Sequence, residues 1–343
     1  MGDSEEFPRS GGLVRSSAIV ALWSAVLGVL VAVIAIASAV VSELDAAEPW
    51  RSATPAQLSS QPPALGTTST INITGVFGER EIDAARSKTL RLAGSGSNLP
   101  LTRELAEAFM RRSPDRRVIV FESVGSTGGI RAASDGAVDL GLVSRPLRAA
   151  EDPLGLVVIP YARVAVAAVT NLDVSDRELS RKRLIEIYAG KQRRWSDGES
   201  IIVLQRERGD SSHAAVDRAL PEFAAVNDAA YREQRWRVLY NDRAMYEALV
   251  STPGSIGLLD VGATQTQALA LRVLKLDGVA PSETNLRSGS YPLAKVLAFV
   301  SGAQPEGIAR EFVDFTHSSN GQALIRQRGY VPLESSDKGA GAE

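Results

Sequence analysis

Three short stretches set glycine and small polar residues directly in front of a helix-forming run: GSGSNLP (Gly94–Pro100), GSTGG (Gly125–Gly129) and RERGDSSH (Arg206–His213). Apolar, β-branched residues precede them, so each reads as a turn from the carboxyl end of a strand into a helix. The first N–H groups of a helix lack intrahelical partners and carry the positive end of its dipole, so they attract anions. Glycine allows the backbone to approach closely, and Ser, Thr or Asn adds side-chain donors. In open α/β sheets ligands bind beyond the carboxyl ends of strands. Three such mouths, with Arg206 beside the third, suit a small tetrahedral oxyanion. Taken singly, each turn is more often an ordinary N-cap.

Other chemistries find little support. There is no cysteine, which excludes disulfides, thiolate metal sites and cysteine nucleophiles. His213 and His317 are the only histidines, so a multi-histidine metal site is not expected and no cofactor is implied. His213, in the first turn of its helix, reads as a bystander. No segment fits the P-loop pattern, and Leu99 stands where a dinucleotide-binding turn would need its third glycine. A net charge of −2 gives no footprint for nucleic acid. The RGD tripeptide at Arg208–Asp210 is a chance occurrence.

The elements that would position the turns alternate along the chain. Strand-like runs are TLRLAG, RVIVFES, AVDLGLVS, SIIVLQR, GSIGLLD, LRVLKL and KVLAFV, with YVPL at the end. The long apolar run LGLVVIPYARVAVAAVT is expected to break into two strands at Pro160. Helical runs are LPLTRELAEAFMRR, STGGIRAASDG, SRKRLIEIYAG, SSHAAVDRALPEF, DRAMYEALVS, EGIAREFVDFTH and NGQALIRQRG. The alternation predicts an α/β protein with buried, mainly parallel sheets. Trp195 and Tyr188 read as core packing, and Arg181–Arg183 as a solvated helix end.

Ahead of this domain, Ser16–Ser42 carries no charge over 27 residues. As a helix it would be about 40 Å long, enough to cross a hydrocarbon core of about 30 Å with tilt. Arg9 and Arg15 precede it and Glu43, Asp45 and Glu48 follow, so residues 1–15 are expected in the cytoplasm and the rest outside. A cleaved signal peptide is the alternative reading, although the segment exceeds the usual apolar length of one. Residues 43–88 read as a Pro/Ser/Thr-rich linker, 89–334 as the folded domain and 335–343 as a disordered tail.

Taken in order, these segments resemble the phosphate-binding component of phosphate ABC transporters, among the type II periplasmic binding proteins. GSGSNLP corresponds to that family's opening phosphate turn. GSTGGI with DGAVDLGLVSRPL resembles its second, and LIEIYAGKQRRWSDGESIIVLQRERGDSS the run to its third. TPGSIGLLD, RSGSYPLAKVLAFV and EFVDFTHSSNGQALIRQRGYVPL resemble its later landmarks. The resemblance implies two α/β lobes joined by a hinge: 89–162 with 272–334, and 163–271. It implies crossings near Tyr161–Thr170 and Asp260–Leu276.

By the same resemblance the ligand residues fall on Asn98 and Leu99 (the latter through its N–H), Ser126 with Thr127, Ser144, Arg206, and Asp210, Ser211 and Ser212. Ser144 stands where the family has an aspartate that accepts the proton of phosphate, and Asp210 where it has a serine. Asp210 could take over as acceptor, balanced by Arg206 and Arg145, or could weaken anion binding. The implied function is that of a membrane-anchored extracytoplasmic protein, not an enzyme, that carries phosphate to transporter permease subunits. The alternative is an accessory or sensor domain with altered or lost anion binding that acts through protein contacts. An exported phosphatase lacks an evident nucleophile–base pair.

Overall fold

The computed structural model describes residues 88–333. The apolar segment 16–42, the linker up to residue 87 and the tail 335–343 lie outside the described residues. Among the described residues, no helix is long and apolar enough to cross a membrane.

The first half comprises β1 (Thr89–Gly94), α1 (Leu99–Arg112), β2 (Arg117–Val120), α2 (Gly125–Ser134), β3 (Leu140–Val143), β4 (Val157–Asn171), β5 (Glu178–Leu179), α3 (Arg181–Tyr188), β6 (Ile202–Arg206) and α4 (Ser211–Ala219). It continues as α5 (Pro221–Arg232), β7 (Arg237–Leu239), α6 (Asp242–Ser251), β8 (Ser255–Asp260), α7 (Val261–Thr266), β9 (Leu271–Val273) and β10 (Lys275–Leu276). The chain closes with α8 (Glu283–Arg287), β11 (Ala294–Ser301), α9 (Gly307–His317), α10 (Ser319–Gln327) and β12 (Val331–Pro332).

The main sheet runs β2-β1-β3-β11-β4-β8-β6-β7. It is mixed rather than mainly parallel. β1 pairs in parallel with β2 and β3, and β6 with β7 and β8, but β4 and β11 run against their neighbours. The two parallel groups are the cores of two lobes, and β4 joins them. Tyr161, Ala162 and Val164 of β4 pack in the first core with Leu105, Phe109, Phe299 and Phe312. Ala165–Val169 pack in the second with Leu184, Tyr188, Phe223 and Leu258.

Three further expectations are corrected. Pro160 does not divide the long apolar run, because β4 is one strand of 15 residues. The ladder with β11 shifts register between Leu297 and Ala298, which pair with Ala162 and Pro160. That irregularity accommodates a residue with no N–H to donate. Next, SSHAAVDRALPEF is two helices: Leu220 takes an extended conformation (φ −133°, ψ 85°) before Pro221, as a pre-proline residue prefers, and Pro221 opens α5. Finally, Leu274, Leu276, Leu286, Tyr291 and Leu293 still pack in the second core, so the return passage is β11 rather than 260–276. Arg181 and Arg183 also do more than face solvent. Arg181 pairs with Asp277, and Arg183 reaches Asp176 at 2.9 Å.

One close approach fixes the second turn. A Cβ on Gly129 of α2 would lie 2.7 Å from Gly94 Cα and 2.9 Å from the carbonyl oxygens of Ala93 and Leu142. These are sheet backbone atoms that cannot give way, so α2 rests directly on β1 and β3. Gly129→Ala should push α2 off the sheet and cost about 1–3 kcal/mol. Thermal unfolding would show this as a lowered midpoint, and an unchanged midpoint would refute it.

Candidate functional site

The turns after β1 and β6 and the N-termini of α2 and α4 face one cavity of about 420 Å³ between the lobes. Ser95 and Ser97 line it from the first turn, Ser126 and Thr127 from the second, and Arg206, Asp210 and Ser211 from the third. Gly94 makes the first turn possible. It sits at φ 150°, and a Cβ there would stand 2.2 Å from the Leu142 carbonyl oxygen.

Asn98 and Leu99 are placed otherwise than the resemblance implies. The Asn98 amide nitrogen donates to the Val143 carbonyl (3.1 Å) and the Tyr161 hydroxyl (3.0 Å), which ties the turn to β3 and β4. Its Oδ1 is buried with no partner. The Leu99 N–H donates to the Gly96 carbonyl, closing a short 3₁₀ turn, and its side chain packs into the first core. Neither residue lines the cavity; Ser95 and Ser97 do so instead.

Ser126 Oγ accepts from the Ser144 N–H at 3.4 Å, and Thr127 Oγ1 from Arg145 at 2.9 Å. Arg145 is held by both oxygens of Glu151 at 2.8 Å, so it does not balance Asp210. Those bonds from Arg145 keep the Glu151 carboxyl below its ordinary range. Arg148 donates its backbone N–H to Glu151 Oε2 at 2.8 Å, and among the described residues its guanidinium makes no salt bridge. Its guanidinium reaches the opposite wall, 3.5 Å from where a Cβ on Gly209 would stand.

Arg206 is buried among carboxylates. It meets Asp242 at 2.6 Å, Glu207 at 2.9 Å and Asp210 at 3.4 Å. Burial would weaken its charge, but the Asp210 and Asp242 charges and Glu207 outweigh that and hold it above its usual range. Asp210 caps α4: its Oδ1 accepts from the N–H groups of Ser212 and His213, both at 3.0 Å. His213 Nδ1 lies 3.2 Å from the same oxygen. Burial opposes the Asp210 charge, yet the His213 hydrogen bond and the Arg206 charge hold its carboxyl well below the usual range. The side chain expected to accept a ligand proton is thus already an anion at the mouth of a helix. His213 thus sits against that cap. Trp195 is buried, with Nε1 on the Gly254 carbonyl at 2.9 Å, in keeping with a core role.

Sequence reasoning missed the centre of the site. Lys295 of β11 is fully buried, its Nζ 2.7 Å from Ser97 Oγ, 2.8 Å from both Ser211 Oγ and Ser212 Oγ, and 2.9 Å from Asp260 Oδ1. Ser144, where the resemblance implies a carboxylate, is buried behind the cavity and bonded to Ser95 (2.7 Å) and Ser211 (2.8 Å). A ring of serine hydroxyls around a buried ammonium forms the floor. The signal was present, since a lysine inside the apolar run AKVLAFV needs a buried partner.

A model described as a PBP superfamily domain matches residues 79–320. The phosphate-binding protein PstS of Bacillus subtilis (strain 168) is 27% identical over 259 residues, which cover 72% of this chain and 81% of the relative. A putative phosphate ABC transporter substrate-binding protein with bound phosphate from Clostridium perfringens is similar in structure, with a TM-score of 0.62 at 23% identity. The match covers 72% of this chain and 100% of that one. An ABC-type phosphate transport receptor from Vibrio cholerae gives a TM-score of 0.52 at 21% identity, over 71% of this chain and 99% of that one. These structural likenesses show a common two-lobed fold.

Proposed function

The chain belongs to the PBP superfamily, and from that premise we propose that it binds inorganic phosphate, or a similar tetrahedral oxyanion, between its two lobes. It is a binding protein and not an enzyme, as its relatives are. The observation that carries the reading is the cavity: each of the three turns contributes a hydroxyl to it, from Ser97, Ser126 and Ser211, beside the Arg206 guanidinium. Donors from both lobes around one anion would draw the lobes together about β4 and β11, the hinge motion of periplasmic binding proteins. The relatives' names support delivery to ABC-transporter permease subunits. The uncharged segment 16–42 would hold the domain on the outer face of the cytoplasmic membrane.

Calorimetric titration of the full chain with phosphate tests this. Saturable binding is expected, and Arg206→Ala should weaken it by about a hundredfold or more, because the variant leaves carboxylates facing the anion without their cation. No binding to the wild type would sink the reading. One observation favours an accessory or sensor domain with altered anion binding: Asp210 already occupies the N-terminus of α4. An absence of phosphate binding would leave that second reading standing.

A further inference from the structure

The hydroxyls around Lys295 can be followed hydrogen by hydrogen. An ammonium donates and cannot accept, so Ser97, Ser211, Ser212 and Asp260 all turn acceptor lone pairs to its three hydrogens. Ser211 Oγ also accepts from Ser144 Oγ at 2.8 Å. Both acceptor positions of Ser211 are then filled, and its hydrogen must point elsewhere. Ser144 has given its one hydrogen to Ser211, so in the 2.7 Å contact between Ser95 and Ser144 it is Ser95 that donates. Ser212 turns to Asp260, 3.4 Å away. Ser97 and Ser211 lie 3.4 Å apart, and with its acceptor positions filled Ser211 can only donate across that contact, so the hydrogen left for the cavity is that of Ser97, which lines it. The Lys295 charge thus reaches the cavity as the direction of the Ser97 O–H bond, while Asp260 neutralises it locally.

Glu207, Asp210 and Asp242 also line the cavity, but none of them bonds to a hydroxyl of the serine ring around Lys295. Asp210 holds the first turn of α4, and Asp242 and Glu207 hold Arg206. Resting on the oxyanion reading above, we propose that Lys295 is a positioning residue. It makes the cavity floor a surface of hydrogen-bond donors only, so the cleft takes a fully ionised tetrahedral oxyanion and holds sulfate about as well as phosphate. Phosphate near neutral pH carries a proton that needs an acceptor, whereas sulfate carries none. A donor-only floor offers that proton nothing, so it gives phosphate no advantage.

The test is calorimetry on the full chain with sodium phosphate and with sodium sulfate. Wild type is compared with Ser97→Ala, with the paired variant Lys295→Met/Asp260→Asn, and with their combination. The paired variant removes both charges together, so that neither is left buried alone. Dissociation constants for the two anions within about tenfold of each other are expected. The paired variant should weaken both anions by about tenfold or more. Ser97→Ala should cost severalfold in the wild type but little in the paired variant, a non-additivity that a merely structural lysine would not produce. Tight phosphate binding with sulfate more than about a hundredfold weaker overturns the inference and leaves the proposed function intact. So does a folded paired variant that binds like wild type. Failure of the wild type to bind either anion overturns the proposed function, and this inference with it.

Discussion

Lys295→Met should cost the protein about 3–5 kcal/mol of folding stability, among the largest effects available from one substitution here. The side chains of Lys295 and Asp260 are 0% and 3% exposed, and their charges stand 2.9 Å apart. Removing the ammonium alone leaves a carboxylate buried between the lobes without its counter-ion. Burial already pushes the Asp260 carboxyl above its ordinary range, against the pull of Lys295, so the variant should take up a proton there. It also strips Ser97, Ser211 and Ser212 of their common donor. Adding Asp260→Asn should recover much of the loss, since removing both members of a buried pair is far less costly than removing one. Denaturant unfolding of the single and paired variants checks this. Equal stability of Lys295→Met and wild type would show that the pair contributes nothing.

Asp210→Ser should tighten oxyanion binding by about tenfold or more, the second large effect. Two unit charges about 4 Å apart interact by about 4 kcal/mol at the effective dielectric of a protein surface, and an incoming anion feels that as repulsion from Asp210. The substitution removes the charge while keeping a residue type that caps helices well. It also frees Arg206 from a contact at 3.4 Å. Phosphate and sulfate should gain alike. A loss of phosphate affinity with sulfate unchanged would instead make Asp210 the acceptor of the phosphate proton.

The same residue predicts a pH signature. Its folded carboxyl titrates below the unfolded value of about 3.9, so its stabilising contribution is present above that value and is lost as pH falls through the folded one. Wild type should therefore be more stable than Asp210→Ser near neutrality, and the gap should narrow below about pH 4. Unfolding midpoints of the two proteins measured across that range test the sign.

Local signals carried much of this protein. The run LPLTRELAEAFMRR is α1 residue for residue, and DRAMYEALVS is α6, because period, capping and the flanking Pro or Asn agree within one segment. The three Gly/Ser turns were legible as helix entrances for the same reason, and their convergence on one cavity followed from the α/β order. What the sequence could not yield depends on contacts far apart in the chain. Pro160 reads as a strand breaker until β11 shifts register beside it. Asn98 reads as a ligand donor until Val143 and Tyr161 take its amide. Lys295 lies 198 residues from Ser97 and 84 from Ser211, so no local pattern joins them. By itself the sequence determined the fold class, the three entrances and the small polar residues at them, since these follow from periodicity and backbone chemistry. Only the tertiary structure decided which donors face the cavity, because burial forced Asn98, Ser144 and Asp210 to satisfy the protein's own polar groups first.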